Sequence, residues 1–106
     1  MSSLQAKLRE YKDAYVLMHP IRRLILNELK KGPNYTSNIA KNIGYGDRER
    51  LIGFHLSVLL KHGFVKGHLG IANPSRAIVR YYELTEKAKR IINDLCKELL
   101  DFVEQG

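Results

Sequence analysis

Apolar residues along this chain recur first at helical spacing, then at strand spacing, then at helical spacing again. Leu4, Leu8, Tyr11, Tyr15 and Met18 are separated by four, three, four and three residues, which predicts one seam of a helix over 3–18. Lys7, Arg9, Glu10, Lys12 and Asp13 occupy the rest of its circumference. Pro20 suits the first turn of a second helix, where its missing N–H has no intrahelical partner, and His19 is placed to cap it. That helix runs to about Lys31 with Ile21, Leu24, Ile25 and Leu29 inward, and Gly32-Pro33 stops it. A short third helix follows in "YTSNIAKNIG", with Thr36 or Ser37 as N-cap, Ile39, Ala40 and Ile43 inward, and Gly44 at its end.

The fourth helix, 47–62, is capped by Asp47 and closed by Gly63. Its inner stripe is Ile52, Leu56 and Leu59. Its outer face carries Arg50, Phe54, Ser57 and Lys61, with Gly53 at the edge. A glycine inside a helix costs about 1 kcal/mol relative to alanine. A phenylalanine away from the buried stripe forgoes roughly 1.5–3 kcal/mol of burial unless it meets a partner.

The period then changes. "FVKGHL" and "AIVRYYEL" are rich in aromatic and β-branched residues and predict two strands. "GIANPSR" between them is a turn-forming loop. Tyr82 and Leu84 alternate with Tyr81 and Glu83, so one face of this hairpin is expected to pack. Thr85 caps a last helix over 86–104, whose seam is Ala88, Ile92, Leu95, Leu99 and Phe102. Ile91, Cys96, Leu100 and Val103 widen its apolar surface.

At 106 residues the chain suits a single domain with a modest core. No apolar run approaches the roughly 20 residues that span a bilayer, and the N-terminal stretch lacks the continuous apolar centre of a secretory signal. A cytoplasmic protein is expected, with no membrane partner. Cys96 is the only cysteine, which excludes an internal disulfide and a thiolate cage within one chain, and suits a small buried residue. His19, His55, His62 and His68 show no convincing ligand spacing, so no metal or other cofactor is expected. No nucleophile–base pair, carboxylate pair or phosphate-binding glycine loop stands out, so the chain does not read as an enzyme.

The net charge is +7 and is unevenly spread: residues 1–31 carry +4, 32–63 and 64–84 carry +2 each, and 85–106 carry −1. Such a basic surface attracts phosphate backbones or anionic membranes. The order of elements narrows the choice. Two short helices joined by a tight glycine-containing turn, the second leading into a hairpin, is the order of a winged helix-turn-helix. The whole chain, 1–106, then reads as one mainly α domain with five helices and a small β-hairpin wing. In that arrangement the second helix of the pair enters the major groove, about 12 Å wide.

The outer-face chemistry suits that task. Arg50 can donate two hydrogen bonds to guanine, Ser57 can donate or accept, and Phe54 can touch a thymine methyl. Gly53 removes a side chain where a base or phosphate could approach. Arg48 near the helix start and Lys61 farther along suit phosphates. The hairpin offers Lys66, His68, Arg76 and Arg80 for phosphate or minor-groove contact. Each has a plainer alternative: a solvated surface for Arg48, Arg50 and Lys61, packing against the turn or a partner subunit for Phe54, and close helix packing for Gly53.

"HPIRRLILNELKKG", "TSNIAKNIG", "LIGFHLSVLLKHGFV" and "RYYELTEKAK" together resemble the ArsR/MarR-type winged-helix transcription regulators of bacteria and archaea, and an archaeal source is expected. The resemblance covers about residues 17–90. Its most specific parts are His19-Pro20-x-Arg22, His55-Leu56-x-x-Leu59 followed by Gly63, and Tyr82-x-Leu84-Thr85. It implies a recognition helix at 47–62, a wing at 64–84 and a homodimer through the terminal helices. Metal-sensing members carry cysteines on the third helix; "NYTSNIAKN" has none, so that property does not transfer. The turn "GYGDRER" is about two residues longer than the usual one.

The dimer has its own support. The terminal helices carry more apolar surface than one small core needs, so Leu4, Leu8, Tyr11, Tyr15, Ile92, Leu95, Leu99 and Phe102 are expected to form a symmetric interface. The expected function is a sequence-specific regulator that binds double-stranded DNA as a homodimer on a pseudo-palindrome. The alternative is a winged-helix module for protein interaction or nucleoid association without sequence preference. Whether a small-molecule effector acts on it is not legible in the residues.

Overall fold

The computed structural model describes residues 12–94. Leu4, Leu8, Tyr11, Leu95, Cys96, Leu99 and Phe102 lie outside the described residues. The described elements are α1 (residues 12–17), α2 (Pro20–Leu29), β1 (Asn34–Tyr35), α3 (Thr36–Asn42), α4 (Glu49–Lys61), β2 (Val65–Ile71), β3 (Ile78–Leu84) and α5 (86–94). The strands form one antiparallel sheet in the order β1-β3-β2. Among the described residues no helix is long and apolar enough to cross a membrane.

The core is built where the helices cross the base of the hairpin. Ile25, Ile39, Ile52, Leu56, Leu59, Phe64 and Ala88 are completely buried, and Val65 and Leu84 close the cluster from the sheet. The inward side of α1 differs from the expected seam. Val16 and Leu17 are buried, whereas Tyr15 is 75% exposed and Met18 points to water. Two arginines of α2 explain the rotation. Arg22 Nη1 donates to the Val16 carbonyl at 3.2 Å and Arg23 Nε to the Leu17 carbonyl at 2.9 Å. They satisfy the open carbonyls at the end of α1 and set the angle at which the chain turns into α2.

His19 caps α2 as expected, its Nδ1 accepting from the Ile21 N–H at 3.2 Å, with Pro20 in the first turn. The helix is rotated from the expected face: Leu26 is buried and Leu24 is exposed. Lys30 and Lys31 fall just beyond Leu29, and Gly32, at φ 138°, ends the element in a conformation that favours glycine.

The short strand β1 has no counterpart in the sequence pattern, because two residues carry no alternation to read. Asn34 pairs with Tyr82 and Tyr35 with Tyr81. Pairing displaces the expected cap of α3: the N-cap is Tyr35, not Thr36 or Ser37, and its side chain makes no capping bond. Asn34 Oδ1 serves nearby instead, accepting from the Tyr35 N–H and from Asn38 Nδ2, both at 2.9 Å. Asp47 likewise does not cap α4. The cap position is Arg48, without a side-chain bond, and Glu49 supplies the negative charge in the first turn. The cause is the turn, where Tyr45 N–H reaches the Ala40 carbonyl at 2.7 Å and Arg48 N–H the Tyr45 carbonyl at 2.8 Å, which shifts the helix start by one to two residues.

Thr85 does cap α5: its Oγ1 accepts from the Ala88 N–H at 3.2 Å and donates to the Gly63 carbonyl at 2.7 Å. Lys87 then ties three elements, its Nζ lying 3.2 Å from Asp13 of α1, 2.9 Å from the His62 carbonyl after α4, and 4.8 Å from the Phe64 ring centre. Between α2 and α3, buried Glu28 accepts from Asn42 Nδ2 at 2.8 Å and from Lys31 Nζ at 3.1 Å. The Asn42 bond, aided by Lys31 and opposed by burial, holds the Glu28 carboxyl below its usual 4.5.

The folded Glu28 pKa lies below the unfolded one, so its stabilisation is present above about pH 4.5 and is lost as pH falls toward the folded value. Glu28→Gln is expected to flatten the acid limb of stability below about pH 4.5, read by thermal unfolding against wild type.

Candidate nucleic-acid interface

The anchoring of α4 decides which of its residues reach the surface. Ile52, Leu56 and Leu59 are fully buried, and His55 joins them at 3% exposed. Helical spacing alone leaves His55 at the border of this stripe; the Arg22 guanidinium holds it inward, Nε donating to His55 Nδ1 at 3.1 Å. Burial, followed by the neighbouring His19 and Arg22, pushes the His55 imidazole below its usual value.

The opposite face is open. Arg48, Arg50, Phe54, Ser57 and Lys61 are all exposed, and Gly53 is half-buried. Arg48, Arg50 and Lys61 make no ion pair with a described residue, so their charges are free to meet an anion. Phe54 is 58% exposed and its edge meets the His55 ring at 5.3 Å, so it does not pack under the turn at Tyr45 and Gly46. Ser57 Oγ donates to the Phe54 carbonyl at 2.6 Å, which leaves the hydroxyl oxygen as an acceptor for an outside donor. Close packing does not require Gly53: a methyl there would sit 3.9 Å from Thr36 Cγ2, an ordinary contact.

The hairpin separates the cations expected to act together. Register pairs Val65 with Leu84, Gly67 with Tyr82 and Leu69 with Arg80, so these share the face that packs on the core at its base. Lys66 and His68 lie on the other face, opposite Glu83 and Tyr81. Lys66 is paired with Glu83 at 3.4 Å, and His68 stacks on Tyr81 at 5.7 Å. Tyr81 in turn needs Gly70, where a Cβ would lie 2.7 Å from its ring. Arg80 and Arg76 remain without a described ion-pair partner, Arg76 in the loop at φ 59°. The packed face expected for the hairpin holds at its base, through Val65, Leu84 and Tyr82. It fails toward the tip, where Leu69, Ile71 and Ile78 are exposed because the strands outrun the helices. Of the expected dimer residues, Tyr15 and Ile92 are described: Tyr15 is exposed, and Ile92 packs partly against the core.

Helix–turn–helix, an anchored second helix with an open basic face, and a three-stranded sheet with a projecting hairpin define a winged helix-turn-helix domain. No family model and no curated protein matches the sequence. Solved structures share the fold. The homodimeric winged helix-turn-helix DNA-binding domain Mb0332 of Mycobacterium bovis, a possible ArsR-family transcriptional regulator, superposes with TM-score 0.77 at 17% identity, over 98% of this chain and 90% of that one. The transcriptional repressor BigR of Xylella fastidiosa gives 0.68 at 24% identity, over 94% and 93%. A PadR family transcription regulator of Clostridium difficile gives 0.65 at 23% identity, over 82% and 93%. At these identities the likeness establishes the fold.

The two sides of α4 should separate cleanly in denaturation. Leu56→Ala is expected to lower stability by about 2–5 kcal/mol through the cavity it leaves, and Phe54→Ala by less than about 1 kcal/mol.

Proposed function

We propose that this chain is a sequence-specific regulator of transcription that binds double-stranded DNA, with α4 in the major groove and the hairpin on the backbone or minor groove. The observation that carries the reading is the outward face of α4. It presents Arg48, Arg50, Phe54 and Lys61 to solvent on a helix whose other side is fully buried. A rigidly seated helix with free cations fits the groove sterically and electrostatically. Arg50 is assigned to base readout and Arg48, Lys61, Arg76 and Arg80 to phosphates. Lys66 takes a lesser part, since Glu83 already neutralises it. The solved structures of the same fold include proteins described as transcriptional regulators and a repressor, which supports the assignment.

The active form is a homodimer through the terminal helices, with Tyr15 and Ile92 in the interface and Leu4, Leu8, Tyr11, Leu95, Leu99 and Phe102 continuing it. The exposure of Tyr15, Met18 and Leu24 supports this, as does the homodimeric state of Mb0332. Two recognition helices about 34 Å apart would then read a pseudo-palindrome.

Selection of bound sites from random duplex DNA tests the reading; enrichment of a two-fold symmetric site is expected, and no enrichment would favour a nonspecific module. On the selected site, Arg50→Ala should cost about 1–3 kcal/mol of discrimination at one base pair of each half-site. Arg76→Ala should weaken all sequences alike and lower the salt slope by about 1. Sedimentation at micromolar concentration should show twice the 12.2 kDa chain mass, and Tyr15→Asp should shift it toward the monomer.

A further inference from the structure

Among the described residues, His55 is the one buried imidazole, and its surroundings suit only its neutral form. Its Nδ1 accepts from Arg22 Nε at 3.1 Å, and an accepting nitrogen carries no proton. The same guanidinium reaches the Val16 carbonyl of α1 at 3.2 Å, so one side chain holds α1, α2 and α4 together. The His19 ring lies 4.3 Å from His55, and its Nδ1 is also an acceptor, from the Ile21 N–H that opens α2. The charged or titratable groups set against His55 are His19 and Arg22, both from α2 and its cap; α1 adds a backbone carbonyl through Arg22, and on α4 the neighbouring ring is Phe54. A proton on His55 would remove the acceptor for Arg22 and put a second cation beside it, in a place shielded from water.

We propose that His19, Arg22 and His55 form a proton-sensitive latch on the recognition helix. Protonation of His55 breaks the Arg22 bond, frees α4 from the α1–α2 junction and weakens DNA binding in acid. The DNA-binding consequence rests on the function proposed above; the latch itself does not. Its sign follows from linkage. Burial and the adjacent groups lower the folded pKa, so the latched form is fully stable above the usual value of 6.5 and loses stability as pH falls from there toward the folded value. Positive charge added at a DNA-facing surface would act in the opposite direction, because it favours contact with phosphates. The direction of the pH effect therefore identifies the responsible group.

The test compares wild type, His55→Gln and His68→Gln between about pH 5 and pH 7.5 at constant ionic strength. Glutamine keeps an acceptor for Arg22 and does not titrate. Thermal unfolding of wild type should lose midpoint temperature across this range relative to His55→Gln, whereas His68→Gln should follow wild type. On the selected duplex, wild type should bind about threefold or more weaker at the acid end, and His55→Gln should lose less than about 1.5-fold. NMR titration of the wild-type imidazoles should place His55 below its ordinary value, a readout that does not need a folded variant. Identical pH profiles for wild type and His55→Gln, or a His55 titration at or above the ordinary value, would overturn the latch. Absence of binding to any duplex at any pH would instead overturn the regulator reading, with unfolding and NMR still deciding the latch.

Discussion

Burial of one stripe of α4 is the constraint on which the rest of the structure depends. Ile52, Leu56 and Leu59 are removed from water completely, against Ile25 and Leu29 of α2, Ile39 of α3 and Phe64 and Val65 beyond the helix end. At about 1.5–3 kcal/mol for each fully buried aliphatic side chain, the stripe contributes a burial term as large as the net stability of a whole domain, about 5–15 kcal/mol. Once it is seated, the orientation of everything else on the helix is settled. Arg50, Phe54, Ser57 and Lys61 have no inward alternative, and they form the outward face.

Polar ties are concentrated where helices meet, and each does a task that apolar packing cannot. Arg22 and Arg23 take up the carbonyls that end α1. Glu28 receives Asn42 and so sets α3 against α2, and Lys87 joins α1, the end of α4 and α5. Apolar contacts would tolerate small rotations of these elements; directed hydrogen bonds tolerate fewer. No described buried side-chain polar atom lacks a partner, so the ties add direction without leaving an unpaired group. His55 belongs to this set, and it differs because its bond to Arg22 survives in only one protonation state.

The wing shows how far the core extends. Val65, Tyr82 and Leu84 are packed because the helices lie over them, and the same face of the same strands becomes exposed at Leu69, Ile71 and Ile78. Register keeps Arg80 on that face and Lys66 on the other, so a hairpin with several cations does not present them as one patch.

Element types, their order and the stripe of α4 were legible in the sequence, because helical and strand periodicity are local properties. The caps at His19 and Thr85 and the stops at Gly32, Gly44 and Gly63 were legible for the same reason. What failed was anything set by a partner distant in the chain. Strand β1 and the displaced cap of α3 depend on pairing with Tyr81 and Tyr82. The exposed Leu24 and the buried Val16, Leu17 and Leu26 depend on how α1 and α2 are rotated against the core. The outward residues of α4 could be named from spacing, but which of them are free of internal partners could not. Only the assembled structure put Ser57 on the Phe54 carbonyl, paired Lys66 with Glu83 and drew His55 inward to Arg22. Periodicity determines which face of an element is apolar; the approach of other elements determines which groups on that face, or opposite it, find a partner.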